Sequence, residues 1–167
     1  PKSHTLSQGI RQSGTYDLIL CGKQTTDGDT AQVGAETAEF LGIAHGANIL
    51  EVLETGDTFV TVRMNLENKI QTQKMELPCL LTVDKDVNTP RLPSYKRRIG
   101  MDPGCIKVMG LDDLEDRDSG HYGLKGSPTQ VERIFPPDKK TDKEIMEGTG
   151  RELAQAMAAV LRKHKFI

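Results

Sequence analysis

The sequence predicts an α/β fold built around a parallel sheet, and three observations carry that prediction. Leu18-Ile19-Leu20-Cys21 is an unbroken apolar run ending at Gly22, the pattern of a strand covered on both faces by helices. A loop from Lys23 to Thr30 follows, and then Val33, Thr37, Ala38, Phe40 and Leu41 line one face of a helix closed by Gly42. Strand, loop and helix in this order, preceded by another helix, is the grammar of a domain with parallel strands and helical crossovers.

The elements follow in order. Ser3 is placed to cap a short first helix carrying Leu6 and Ile10, stopped by Gly14. After Gly42, Ile49 to Leu53, Phe59 to Met64 and Ile70 to Met75 read as strands. The last two flank Asn65 to Lys69 and form an antiparallel ribbon with one wet face. Cys79 to Val83, after Pro78, is a buried strand returning to the main sheet. From Asp84 the character changes: Asn88 to Arg98 holds two prolines and a basic cluster, Lys96-Arg97-Arg98, and residues 112–142 carry only short apolar pieces. Thr141 with Glu144 reads as a capping box, opening a final helix striped by Ile145, Leu153, Met157, Val160 and Leu161. The reading divides the chain into an α/β core over 1–88 and an extended arm with a terminal helix over 89–167.

Composition narrows the function classes. Hydrophobic residues make up 36% and aromatics 4% of 167 residues, with no Trp, so Leu, Ile, Val, Met and Ala must build the core. A net charge of −2 offers no basic field for a polyphosphate backbone and argues against nucleic-acid binding. Cys21, Cys79 and Cys105 stand apart inside apolar runs, as buried, reduced thiols of a cytoplasmic protein do, with no disulfide framework or metal-binding CxxC. No stretch has the length of a membrane span and no signal peptide opens the chain. The chain starts without Met and directly on helix, as a fragment lacking its N-terminal part would. His4, His45, His121 and His164 are scattered, without ligand partners at metal spacing, so no metal site is expected. No nucleophile elbow or other catalytic side chain emerges either.

One segment carries chemistry: Gly22-Lys23-Gln24-Thr25-Thr26-Asp27-Gly28-Asp29-Thr30-Ala31-Gln32-Val33-Gly34. A strand end feeds a flexible loop and then a helix N-terminus, where free N–H groups and the helix dipole attract phosphate. Open α/β sheets also bind ligands at the carboxyl ends of their strands. Gly28 and Gly34 let backbone approach a ligand or another element closely. Against a phosphate stand the charges of Asp27 and Asp29. The residues alone leave two readings: a nucleotide phosphate site, or Asp29 or Thr30 as a plain N-cap with Asp27-Gly28 as a tight turn. The segment is neither a Walker loop nor a GxGxxG turn.

DLILCGKQTTDGDTAQVG, with LLTVDKDVNTPRLPSY and GSPTQVERIFPP after it, resembles the electron-transfer flavoprotein beta subunit over nearly the whole chain, less that family's N-terminal portion. The resemblance implies an adenine-nucleotide-binding domain with flavodoxin-like layers and an arm packing on an alpha subunit that holds the redox FAD. Residues 22–34 would hold AMP in respiratory members, or a second FAD that accepts hydride from NADH in electron-bifurcating ones. Respiratory members tend to have an NQTG-like stretch where this chain has Ala31-Gln32-Val33-Gly34, which points to FAD. The resemblance also makes Pro90, Arg91, Leu92, Pro93, Ser94 and Tyr95 the loop that docks on an acyl-CoA dehydrogenase, with Leu92 as anchor; from the residues alone it is a Pro-rigid loop. The rival from another class is a stress-protein-type module that binds ATP or AMP without redox work.

Overall fold

The computed structural model describes residues 1–26, 28–136 and 145–167. Two compact units divide it, residues 1–130 and residues 131–167. The first holds a five-stranded mixed sheet of order β1-β5-β2-β3-β4. Its strands are β1 (Leu18–Gly22), β2 (Ala44–Thr55), β3 (Phe59–Leu66), β4 (Lys69–Glu76) and β5 (Cys79–Val83). Helices α1 (Lys2–Gln12) and α2 (Val33–Leu41) pack on each other, and α2 packs on β2 and β5. The α/β fold expected from the sequence is thus present. The strand after Pro78 does return to the sheet, lying parallel between β1 and β2.

The ribbon also forms as expected: β3 and β4 pair antiparallel in register from Phe59↔Glu76 to Leu66↔Lys69. A two-residue turn joins them, and Glu67 sits in it at φ +53°. β2 is longer than its apolar run suggested. Its first part runs parallel to β5, and after a break between Gly46 and Ile49 it pairs antiparallel with β3. Asn48, at φ +56°, sits in that break, the form of a bulge that bends a strand and raises its twist.

That bend creates the main core. Ile49, Val60, Val62, Met64, Met75, Cys79 and Leu81 form one buried cluster. In a flat sheet β4 would lie about 14 Å from β5 at the usual strand spacing. Here a Cβ placed on Gly46 would meet both Met75 of β4 and Leu81 of β5, at 2.9 and 3.1 Å. The ribbon therefore curls over the parallel half, and glycine at 46 leaves room for it to do so. On the other face of β5, Leu80 and Thr82 meet α2, where Ala38 and Thr37 are buried.

Several expectations are corrected. β1 is not covered on both faces among the described residues, since Leu20 is 59% exposed. Ser3 does not cap α1. It lies inside the helix, buried, and its hydroxyl donates to Glu36 Oε2 at 2.6 Å; the N-cap is Pro1 and the C-cap Ser13. The buried face of α1 is polar, made of Ser3, Ser7 and Gln8, while Leu6 is largely exposed. Cys105 is exposed and only Cys79 is fully buried; all three thiols are free.

Beyond Thr82 none of the described residues is buried. Within the first unit this stretch carries a short helix α3 (Tyr95–Ile99) and 3-10 turns at Pro103–Cys105, Leu111–Asp113 and Ser119–His121. In the second unit helix α4 spans Gly150–Lys163. Thr141 and Glu144, the expected capping box, lie outside the described residues. A second Thr-x-x-Glu does the capping: Thr149 N–H and Oγ1–H both donate to Glu152 Oε2, at 2.8 and 2.7 Å. Ile145 precedes this helix and is not part of its stripe.

Candidate functional site

Parallel pairing of β1 with β5 brings two strand ends to one edge, and the chain leaves both ends in loops. There a cleft of about 620 Å³ opens, lined by Gly22, Lys23, Gln24, Thr26, Val83, Asp84, Lys85 and Val87. It combines the end of β1 and the loop beyond it with the end of β5 and the loop beyond that. Lys23 N–H donates to Val83 O at 3.0 Å, which joins the two walls. Lys23 Nζ lies 3.4 Å from Asp84 Oδ2. The Asp86 N–H first, and then the Lys23 ammonium, hold the Asp84 carboxyl below its ordinary range, against the opposing effect of partial burial. Burial pushes the Cys21 thiol in β1 up, which leaves it protonated and unreactive at neutral pH.

The loop between β1 and α2 is held by its own contacts. Gln24 Nε2 donates to Asp29 Oδ1 at 2.6 Å, and Asp29 N–H to Thr25 O at 3.1 Å. Asp29 and Ala31 both occupy positive φ, +48° and +54°, a conformation that costs side-chain-bearing residues energy and clusters where a loop shape is functional. The plain-cap reading does not hold. The residue at the N-cap of α2 is Gln32, in helical conformation and without a side-chain hydrogen bond, so neither Asp29 nor Thr30 caps the helix. The Gln32 side chain leaves the first N–H groups of α2 without a cap of its own, and a helix start of that kind favours an anionic ligand.

Of the thirteen loop residues singled out in the sequence, Gly22, Lys23, Gln24 and Thr26 line the cleft. Asp27 lies outside the described residues. Gly34 serves packing between elements: a Cβ there would lie 2.3 Å from Thr82 Cγ2, so α2 closes on β5 only over glycine. Sequence reasoning missed Val83, Asp84, Lys85 and Val87 as cleft walls, although the motif LLTVDKDVNTPRLPSY contains all four. The signal was the second strand end, which only sheet order brings beside the first.

Elsewhere, Pro90, Arg91, Leu92, Pro93 and Ser94 form an irregular exposed segment in which Leu92 is 94% exposed, and Tyr95 opens α3. Lys96, Arg97 and Arg98 belong to α3, all exposed. The histidines are not all scattered in space. His4 and His121 meet at Asp116, with Oδ2 lying 3.0 Å from His4 Nε2 and 2.7 Å from His121 Nδ1.

A cleft at the carboxyl ends of parallel strands is where open α/β sheets place their ligands, and sequence comparison identifies the family. The family model described as the electron transfer flavoprotein domain matches residues 1–109. The chain belongs to the electron transfer flavoprotein family. Within that family it aligns with beta subunits. The electron transfer flavoprotein subunit beta of Clostridium acetobutylicum is 35% identical over 165 residues, 99% of this chain and 62% of its own length. That of Thermoanaerobacterium thermosaccharolyticum is 37% identical over 153 residues, 91% of this chain and 58% of its own. The caffeyl-CoA reductase-Etf complex subunit CarD of Acetobacterium woodii is 33% identical over 166 residues, 99% of this chain and 63% of its own. The chain spans about three-fifths of the length of these relatives. Among the described residues, no helix is long and apolar enough to cross a membrane.

Proposed function

We propose that this chain is the nucleotide-holding part of an electron-bifurcating electron transfer flavoprotein beta subunit, with FAD bound along Gly22–Gly34 and AMP as the alternative ligand. The observation that carries the reading is the cleft at the carboxyl ends of β1 and β5, walled by the loop that leads into α2. Its volume lies in the range of ligand pockets, about 300–1,000 Å³. Lys23 and Lys85 bring positive charge to its walls and Gln24 and Thr26 bring polar groups, a donor set suited to a pyrophosphate and ribose. Asp84 offsets the charge of Lys23, so phosphate would be held mainly by Lys85 and backbone N–H groups. When bound, the flavin supplies the redox chemistry; the chain's part is to bind, orient and shield it.

In this reading residues 1–88 hold the nucleotide and residues 89–167 serve recognition, packing on an alpha subunit with its own FAD. Pro90, Arg91, Leu92, Pro93, Ser94 and Tyr95 dock on an acyl-CoA dehydrogenase, NADH is the donor, and the assembly works in the cytoplasm. One relative's name places it in a caffeyl-CoA reductase complex, which supports a CoA-thioester enzyme as partner. Activity as an NADH-oxidising flavoprotein requires the alpha subunit.

The test is ligand identity in the full-length heterodimer. Denaturing release followed by mass analysis should give two FAD per dimer, and NADH should bleach the flavin absorption. One FAD plus AMP with no bleaching would end the bifurcating assignment. A colourless homodimer carrying ATP would end the flavoprotein role.

A further inference from the structure

We propose that His4, Asp116 and His121 form a binding site for a divalent transition-metal ion of the zinc class, which clips residues 111–126 onto helix α1. His4 Nε2, His121 Nδ1 and a carboxylate oxygen of Asp116 all lie within 4.8 Å of one another. Two imidazoles and one carboxylate with an open side is a donor set that suits zinc, with water completing the shell. Zinc at about 2.0–2.2 Å from each donor would set tetrahedral ligands roughly 3.3 Å apart. The two distances to Asp116 Oδ2, 3.0 and 2.7 Å, would open by roughly 0.3 and 0.6 Å to reach that spacing, and the two imidazole nitrogens, within 4.8 Å of each other, adjust through His121, which is exposed enough to swing.

The frame around the three donors is already built. Asp116 is fixed from four directions: its N–H donates to Gln8 Oε1 at 3.1 Å, and its Oδ1 accepts the Asp118 N–H at 3.0 Å. Its carbonyl accepts the Tyr122 hydroxyl at 2.5 Å, and its Oδ2 faces both imidazoles. Phe40 and Tyr122 hold the His4 ring, each with centroids 5.3 Å away. Asp118 Oδ2 lies 3.8 Å from the other nitrogen of His121, too long for a hydrogen bond but close enough to favour a cation bound by that ring. His4 is 19% exposed, Asp116 24% and His121 60%, so the site is open on the His121 side alone. The donors come from positions 4, 116 and 121, which is why no ligand spacing betrays them in the sequence.

An ion there would tie a segment without buried residues to the first helix, and any ligand of the folded state alone adds stability by mass action. The chain is purified with chelator, dialysed, and titrated with zinc chloride and separately with cobalt(II). Expected are one zinc per chain by elemental analysis, and a cobalt spectrum with the strong visible bands of tetrahedral nitrogen–oxygen ligation. His4→Ala, Asp116→Asn and His121→Ala should each weaken zinc binding at least tenfold, while His45→Ala and His164→Ala keep it. His121 is exposed, so its variant keeps the fold should His4→Ala lose it. Absence of stoichiometric zinc on the folded wild-type chain overturns the proposal, as does undiminished binding in His121→Ala. A thiolate-to-cobalt band would assign the ion to a cysteine and overturn it equally.

Discussion

At Gly34 the fold admits nothing larger than hydrogen between α2 and β5, because Thr82 Cγ2 stands where a Cβ would be. Gly34→Ala should therefore push α2 off the sheet and lower stability by about 1–3 kcal/mol, read as a drop in the urea midpoint at unchanged slope. The same displacement would misplace the N–H groups at the start of α2, so the assembled heterodimer should also retain less nucleotide. Asp84 answers to pH. Its folded carboxyl titrates below the ordinary 3.8, through the Asp86 N–H and Lys23. The stability it contributes is thus present above that value and lost as pH falls through its lowered folded pKa. Acid unfolding followed below pH 4 should be steeper in the wild type than in Asp84→Asn. Gly34 was legible as a point of close approach, though not which element it approaches; Asp84 marked only a change of character in the chain, and its place in the cleft wall depends on sheet order.

Elements built from contiguous residues were legible, and elements that depend on distant partners were not. The apolar run of β1, the face of α2 and the alternation of β4 are local patterns, and each became the element expected. The length of β2 was not, because its first part has no apolar run and is a strand only through pairing with β5. The cleft was half legible for the same reason: the loop after β1 announces itself, whereas the loop after β5 joins it through sheet order. His4, Asp116 and His121 stayed hidden behind a separation of 112 residues. For α4 the capping box expected at Thr141 lies outside the described residues, and the Thr149 and Glu152 pair that opens the helix was missed. At the ribbon turn, Glu67 sits at φ +53°, where a side chain costs about 1–2 kcal/mol relative to glycine. Glu67→Gly should then raise the urea midpoint slightly, with a gain of up to about 1 kcal/mol after the added freedom of the unfolded chain is set against it.

For the molecule as a whole, nucleotide holding and partner recognition are separable under the proposed function. Leu92 is 94% exposed and does not line the cleft. Leu92→Ala in the heterodimer should keep flavin content and NADH bleaching while slowing electron delivery to the dehydrogenase at least severalfold. Stopped-flow reduction of the dehydrogenase flavin reads this directly, and an unchanged rate would remove Leu92 as the anchor. Loss of flavin in the same variant would contradict the separation itself.

The two rims of the sheet differ in what they offer to another molecule. Among the described residues β4 pairs with β3 alone, and it bears Lys69 and Lys74 along its length, the latter with its ammonium 3.5 Å over the Phe59 ring. Lysines on an open strand discourage a second chain from adding to it. Among the described residues β1 pairs with β5 alone; it has no charged residue and presents Leu20 to solvent. Concentrated solutions of the isolated chain should therefore cluster by strand addition at β1 and leave β4 free, and a lysine in place of Leu20 would keep them clear.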